Sequence, residues 1–286
     1  MLALGVDASA LEEVFGVREI TIRSWLCRSG IQGKKLHERF MHELELIHVQ
    51  LDELWANMKR SNQDMWVWVV SDASTKIIPV IQVGGRTQEM AYKIVHELKG
   101  RLRPGCVPVF STDGLKNYFY ALTAHFGMWE RIDGKKPIWV LLHDFVYAQV
   151  IKHQKRRRTV EVERRILIGD GENYQERLKA AGLSGRINTS FVERLNLSIR
   201  QCVSKLTRRT WGPAHFMPEL LEHLDWWRAY FHFVRYHESL KVELATPSQR
   251  KGKQGPIRYR RRTPAMAAGL THRRWTVKEL LSYPLP

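Results

Sequence analysis

The chain has little cysteine, few acids for its size and no long apolar run. Its three cysteines, Cys27, Cys106 and Cys202, are odd in number, far apart and never in a C-x-x-C pair. That argues against a disulfide framework and a zinc ribbon, and makes a reduced, intracellular setting the default. Buried thiols are the expected role of each. No stretch stays apolar for the roughly 20 residues that a membrane-spanning helix needs, and no signal-peptide pattern stands at the N-terminus. "MWVWVV" (65–70) is too short to cross a bilayer and fits a buried strand. A cytoplasmic protein without membrane association is therefore expected. Internal repeats and low-complexity tracts are absent as well.

The scarcity of acids is the most informative deficit. Among 286 residues, 29 Asp and Glu face 46 Lys and Arg, a net charge of +17. This favours a polyanionic partner. Apolar residues make up 44 %, enough for a sizeable core. Against this basic background an isolated carboxylate asks for a reason.

Residues 9–29 read as two short helices around a tight turn at Gly16, a helix-turn-helix pattern. Leu11, Phe15, Val17, Ile22 and Trp25 supply its apolar contacts. The second helix is expected to expose Arg18, Thr21, Arg23, Ser24 and Arg28, a face suited to a major groove. An ordinary surface hairpin of helices fits the same pattern. The expected division is a helix-turn-helix unit over 1–30, a linker over 31–46, an α/β core over 47–242 and a basic, extended arm over 243–286, with Trp275, Leu280 and Leu281 expected to dock back on the core.

Within the core the periodicity changes to two. "LIHVQLDELWANM", "DMWVWVVSDASTK" and "KIIPVIQVGG" read as an antiparallel meander. A helix follows from Thr87, its N-cap, to Leu102, then a strand in "CVPVFSTDG" and a helix over "LKNYFYALTAHFG". "PIWVLLHDFVYAQVIK" holds another strand, and "KHQKRRRTVEVERRILIGDGE" reads as a charged hairpin or loop. "INTSFVERLNLSIRQCVSKLTRRT" (187–210) predicts an amphipathic helix. Its apolar stripe is Phe191, Leu195, Ile199, Cys202 and Leu206, and its other face carries Glu193, Asn196, Arg200, Ser204 and Arg208. "AHFMPELLEHLDWWRAYFHFVRYHESLK" adds a last long helix. Three antiparallel strands, then helix, strand, helix, more strand and a long helix give a ribonuclease-H-like order with a mixed sheet.

Three acids stand out in that order. Asp52 lies inside the first strand, between apolar neighbours, where Asp is disfavoured without a partner. Asp113 ends the fourth strand, just before Gly114, at the edge where α/β sheets build sites. Glu193 lies at the start of the helix that packs on that sheet. A carboxylate cluster of this kind suits Mg²⁺ or Mn²⁺, as two ions, for in-line phosphodiester transfer. Other readings exist for each: a turn at Asp113, an edge-strand charge at Asp52, and a capping box from Ser190 to Glu193. Glu53 points to the opposite strand face and is the poorer candidate. Asp72 belongs to a hairpin turn.

"VQLDELW", "STDGLKNY" and "NTSFVERLNLSIRQCVSKLTRRT" resemble the DDE transposases of bacterial insertion sequences, in particular the group named after insertion sequence one. "YFHFVRYHESL" and "RTPAMAAGL" are similar to that group too, so the resemblance runs from about His48 onward. It implies a ribonuclease-H-like catalytic domain using two divalent metal ions. It also implies DNA cleavage at terminal inverted repeats, joining of a 3′-hydroxyl to target double-stranded DNA, and a homo-oligomer on paired ends. Asp52, Asp113 and Glu193 match the catalytic acids. Asn196 matches the motif's Asn, which orients Glu193 or touches DNA, and Arg200 on the same face is placed with the DNA contacts. Many relatives carry a cysteine-rich zinc motif ahead of the helix-turn-helix; here it is missing, which implies an N-terminally shortened form. His232 stands where relatives often have Asn. A non-catalytic DNA-binding regulator, or a disabled remnant, shares every feature except a need for Asp52 in a strand. A structure-selective nuclease on the same core would cut without joining.

Overall fold

The computed structural model describes residues 1–56, 64–133, 135–156, 158–207, 217–248 and 256–285. Two helices open the chain, α1 (Ala8–Phe15) and α2 (Glu19–Phe40). The meander follows: β1 (His48–Ala56), β2 (Met65–Asp72) and β3 (Val80–Gly84). Asp72 fastens the turn after β2, as a turn acid should. Its Oδ2 accepts bonds from Ser74 Oγ, Thr75 N and Thr75 Oγ1, and its Oδ1 from the His48 backbone.

Next come α3 (Gln88–Arg101), β4 (Val109–Thr112) and α4 (Lys116–His125). Thr87 caps α3 by accepting from Met90 N. A small hairpin, β5 (Gly127–Glu130) with β6 (Ile138–Leu141), precedes β7 (Val146–Lys155) and β8 (Arg158–Ile168). Then follow α5 (Gly171–Ala180), α6 (Ser190–Cys202) and α7 (Met217–Phe233). The chain ends with β9 (Val242–Ser248), β10 (Ile257–Arg260), α8 (Pro264–Ala267) and α9 (Val277–Ser282).

The central sheet has the order β3-β2-β1-β4-β7-β8. β1, β4 and β7 run parallel, and the remaining pairs are antiparallel. This mixed α/β arrangement is compatible with a ribonuclease-H-like core. Strand alternation divides the apolar residues. Val49, Leu51, Trp68 and Val70 join α3 and α4 on one face through Ile94, Leu98, Tyr118 and Leu122. Leu54, Ala56, Val67 and Val69 join α6 on the other through Val192, Leu195 and Ile199. Each such side chain, fully buried, contributes roughly 1.5–3 kcal/mol. Among the described residues no helix is long and apolar enough to cross a membrane.

Several expectations are corrected. The stretch 31–46 is not a linker, because α2 continues unbroken to Phe40 and packs on α7. Gly30 and Gly33 are buried in α2, where they let the backbone of α7 come close. Within the α1–α2 unit Leu11 and Ile22 are buried, but Phe15 and Trp25 are 59 % and 51 % exposed. Helix α6 stops at Cys202, followed by a 3-10 turn over Ser204–Leu206, while the expected continuation through Arg208 lies outside the described residues. α5 was not anticipated. The C-terminal segment is no extended arm where it is described. Trp275 stacks between Phe233 and Tyr283, at 4.7 and 4.9 Å between ring centroids. Thr263, Pro264, Ala265 and Leu280 are buried beside it, and the basic run over 249–255 lies outside the described residues.

The glycine contacts give a test whose sign is informative. On an exposed helix, Gly→Ala stabilises by about 1 kcal/mol. A Cβ on Gly33 would lie 2.6 Å from the Asp225 carbonyl oxygen, and one on Gly30 would strike Glu222 backbone. Gly33→Ala and Gly30→Ala are expected to destabilise instead, by about 1–3 kcal/mol in denaturant unfolding. A gain in stability would mean that α2 does not pack closely on α7.

Candidate functional site

Strand β4 is short, and its length makes the site. β4 stops at Thr112, paired with Leu51 on one side and Gln149 on the other. β1 continues through Asp52 to Ala56, and β7 continues through Val150 to Lys155. The missing strand leaves a notch about 10 Å wide, two strand spacings. Asp113 stands at its floor, where its Oδ1 accepts the backbone N–H of Leu115.

Asp52 forms one wall. Its Oδ2 accepts a 2.8 Å bond from Asn196 Nδ2, and its Oδ1 accepts the backbone N–H of Glu53. Glu53 belongs to the opposite strand face, as alternation requires, and takes bonds from Tyr118 Oη and Arg86 Nε. Its carboxylate nevertheless joins the site. Ligand oxygens of Asp52, Glu53 and Asp113 all lie within 4.8 Å of one another. β1 stays paired with β2 here, but beyond Thr112 no strand flanks it on the β4 side, so side chains of both faces can meet in the notch. Glu53 is thus a functional candidate that the face rule hid.

The cluster is electrostatically strained. Burial, then the charges of Glu53 and Asp113, push the Asp52 carboxyl up to about 7. Burial also raises Asp113, and burial with the charge of Asp113 raises Glu53 despite Tyr118 and Arg86. Arg86 is the counter-charge on this side, 2.5 Å from Glu53 and 4.0 Å from Asp113, with its guanidinium over the Trp66 ring. Three crowded carboxylates of hard oxygen chemistry fit a divalent cation such as Mg²⁺. Such a cation could be held by Asp52, Glu53 and Asp113.

Glu193 reaches the same cleft from α6. The helix is docked by Gln50 of β1, whose Oε1 accepts the backbone N–H groups of Phe191 and Val192. Gln50 Nε2 donates to the Asn188 carbonyl, and Asn188 Oδ1 accepts from Ser190 N and Oγ. These partners satisfy the first turn of the helix. The alternative reading of a capping box between Ser190 and Glu193 does not hold: the N-cap is Thr189, with no side-chain cap bond. The Glu193 carboxylate instead accepts from Lys152 Nζ and Thr189 Oγ1, each at 2.5 Å. It lines the cleft with Asp52 and Asp113 without belonging to the tight three-acid cluster. Arg86, Lys116 and Lys152 add cations to the rim.

The residues expected to contact DNA are placed differently from one another. Arg18 and Arg28 are exposed on the N-terminal unit, and Thr21 is half-buried. Arg23 is held by Glu19 at 2.5 Å and Glu219 at 3.5 Å, so its charge is spent on tying α2 to α7. Asn196 is only 7 % exposed. It is an orienting partner of Asp52, not of Glu193, and is too buried to meet DNA directly. Arg200 donates to the Trp55 carbonyl across the α6–β1 contact.

Two outcomes are expected here. Gln50→Leu strands two helix N–H groups and should cost about 2–4 kcal/mol in unfolding; a change under 1 kcal/mol would remove Gln50 as the anchor of α6. Asp52 carries the pH signature. Its folded carboxyl is raised from 3.8 to about 7, so its favourable contribution is complete below pH 4 and is lost as pH rises to 7. Asp52→Asn should therefore match wild type near pH 4 and be the more stable protein at pH 8 without metal. Millimolar Mn²⁺ at pH 8 should stabilise wild type by about 1–3 kcal/mol by mass action, and the variant far less. Equal metal responses would exclude Asp52 as a ligand.

Neither a family model nor a curated protein matches the chain.

Proposed function

We propose that the chain is a DDE transposase, cutting DNA at the terminal inverted repeats of a mobile element and joining the freed 3′-hydroxyl to target DNA. One observation carries this reading: Asp52 from β1, Asp113 from the end of β4 and Glu193 from α6 line a single cleft at the end of a mixed sheet. The order of elements is compatible with a ribonuclease-H-like core, which supports the reading. Asp52 and Asp113 would hold divalent metal, with Glu193 completing the set once released from Lys152. When bound there, Mg²⁺ or Mn²⁺ would supply Lewis-acid chemistry for phosphodiester transfer.

The chain's own residues supply the rest. The notch admits one backbone of a nucleic acid and excludes an intact duplex from its floor. Arg86, Lys116 and Lys152 meet the phosphates at the rim. Asn196 fixes the carboxylate plane of Asp52 through the bond from its Nδ2. Arg18 and Arg28 on the N-terminal helices contact the repeats, and assembly on paired ends is homo-oligomeric. The cytoplasm of a bacterium, on the nucleoid, is the setting of such a reaction.

A second reading has its own observation. Glu193 is engaged by Lys152 and Thr189, an arrangement also suited to a DNA-binding protein without chemistry.

The deciding assay is cleavage and strand transfer on a labelled duplex bearing the element's own terminal repeat, with Mg²⁺ or Mn²⁺. Asp52→Ala, Asp113→Ala and Glu193→Ala should each lower product formation by at least about 10³-fold. DNA binding should stay within a few-fold of wild type. Binding without product from wild type, under conditions where the folded protein takes up metal, would replace the transposase reading by the second one.

A further inference from the structure

We propose that the β7–β8 ribbon enters the major groove of a B-form DNA duplex and holds that duplex over the cleft. The inference rests on the reading of the cleft as a site for DNA. β7 loses its β4 neighbour after Gln149 but stays paired with β8 out to Lys155 and Arg158. Six residues of ribbon therefore project past the sheet, about 20 Å at a strand's rise per residue. They project at the end where Asp113 leaves β4, and the root of the ribbon is a wall of the cleft through Ile151, Lys152 and Gln154.

The outer part of the ribbon is strongly basic. Lys155, Arg156 and Arg158 are exposed and make no ion pair among the described residues. Like charges so close together repel and contribute nothing to folding. Nearer the root the cations have partners: Lys152 holds Glu193, Arg165 faces Glu163 at 3.8 Å and Arg164 donates to the Ile187 carbonyl oxygen. The ribbon's cations without a partner among the described residues are thus those at the tip. A register shift between His153 and Gln154 marks a bulge, which increases ribbon twist.

Shape narrows the polyanion to one kind. A B-form major groove is about 12 Å wide and accepts a two-stranded β-ribbon. The A-form groove of an RNA duplex is deep and too narrow for side chains to read. A duplex gripped at the tip lies across the mouth of the notch, where one of its backbones faces the acids.

The test uses the full chain in EDTA, so that no chemistry contributes. Binding of a 30-base-pair DNA duplex and of the RNA duplex of equal sequence is followed by anisotropy over a salt series. The combined variant Lys155→Ala, Arg156→Ala and Arg158→Ala should lose about 10–100-fold in DNA affinity near 0.1 M salt. Its log–log salt slope should fall by about 2–3, the release of ions from that many phosphates. Lys34→Ala with Lys35→Ala, on exposed positions of α2, should leave the slope within about 0.5 of wild type. RNA duplex binding should be weaker at the outset and change by less than about threefold. Wild-type affinity and slope in the ribbon variant, with unchanged thermal unfolding, would overturn the proposal, and so would an equal loss for RNA. Asp113→Ala separates this from the transposase reading: it should abolish cleavage yet keep the full ribbon-dependent DNA affinity.

Discussion

The side-chain amide of Gln50 joins the strand that carries Asp52 to the helix that carries Glu193. It accepts from two backbone N–H groups at the start of α6 and returns a bond to Asn188. A helix start packed against a sheet needs partners for its first N–H groups. One glutamine supplies them from within the strand itself. The consequence is positional. With its first turn satisfied, α6 has no use for Glu193 as a cap, and the carboxylate turns to the cleft.

The cleft is then a matter of charge balance. Asp52, Glu53, Asp113 and Glu193 are opposed by the cations they pair with, Arg86 and Lys152. Full ionisation leaves two negative charges in excess, in a place where burial already raises the acids. Either protons or a divalent cation can make up the difference. The Tyr118 hydroxyl and the Arg86 guanidinium hold Glu53 so firmly that it acts more as fixed field than as mobile ligand. Asp52, which has no cation paired to it, and Asp113, with one hydrogen bond, are better suited to change partners.

Much of this was legible in the sequence, and the misses have physical causes. Asp52 could be read because a carboxylate among Leu51, Leu54 and Trp55 contradicts strand burial. Asp113 could be read because a strand ended at an acid and a glycine. The meander, the Thr87 cap and the turn at Asp72 followed from period and turn chemistry. Glu53 was hidden by a face rule that assumes flanking strands. Helix α5 was missed because its buried stripe is only Tyr174 and Leu178, too sparse to show a period. The stretch 31–46 reads as a linker because it is short and polar, and its packing partner α7 lies far along the chain. Arg23 looked exposed because nothing local shows that Glu219, far along the chain, will neutralise it.

Helix α2 has a geometric consequence of its own. Its 22 residues span about 33 Å at 1.5 Å per residue. Arg18 stands just before one end, and the other end is buried in the core beside Phe233 and Tyr283. A tether would let the surface at the start of α2 and the cleft find their ligands independently. A rigid rod fixes the separation and the angle between them once, in the fold. On the transposase reading, a nucleic acid touching both surfaces would meet them at a spacing set by the fold and not by a tether.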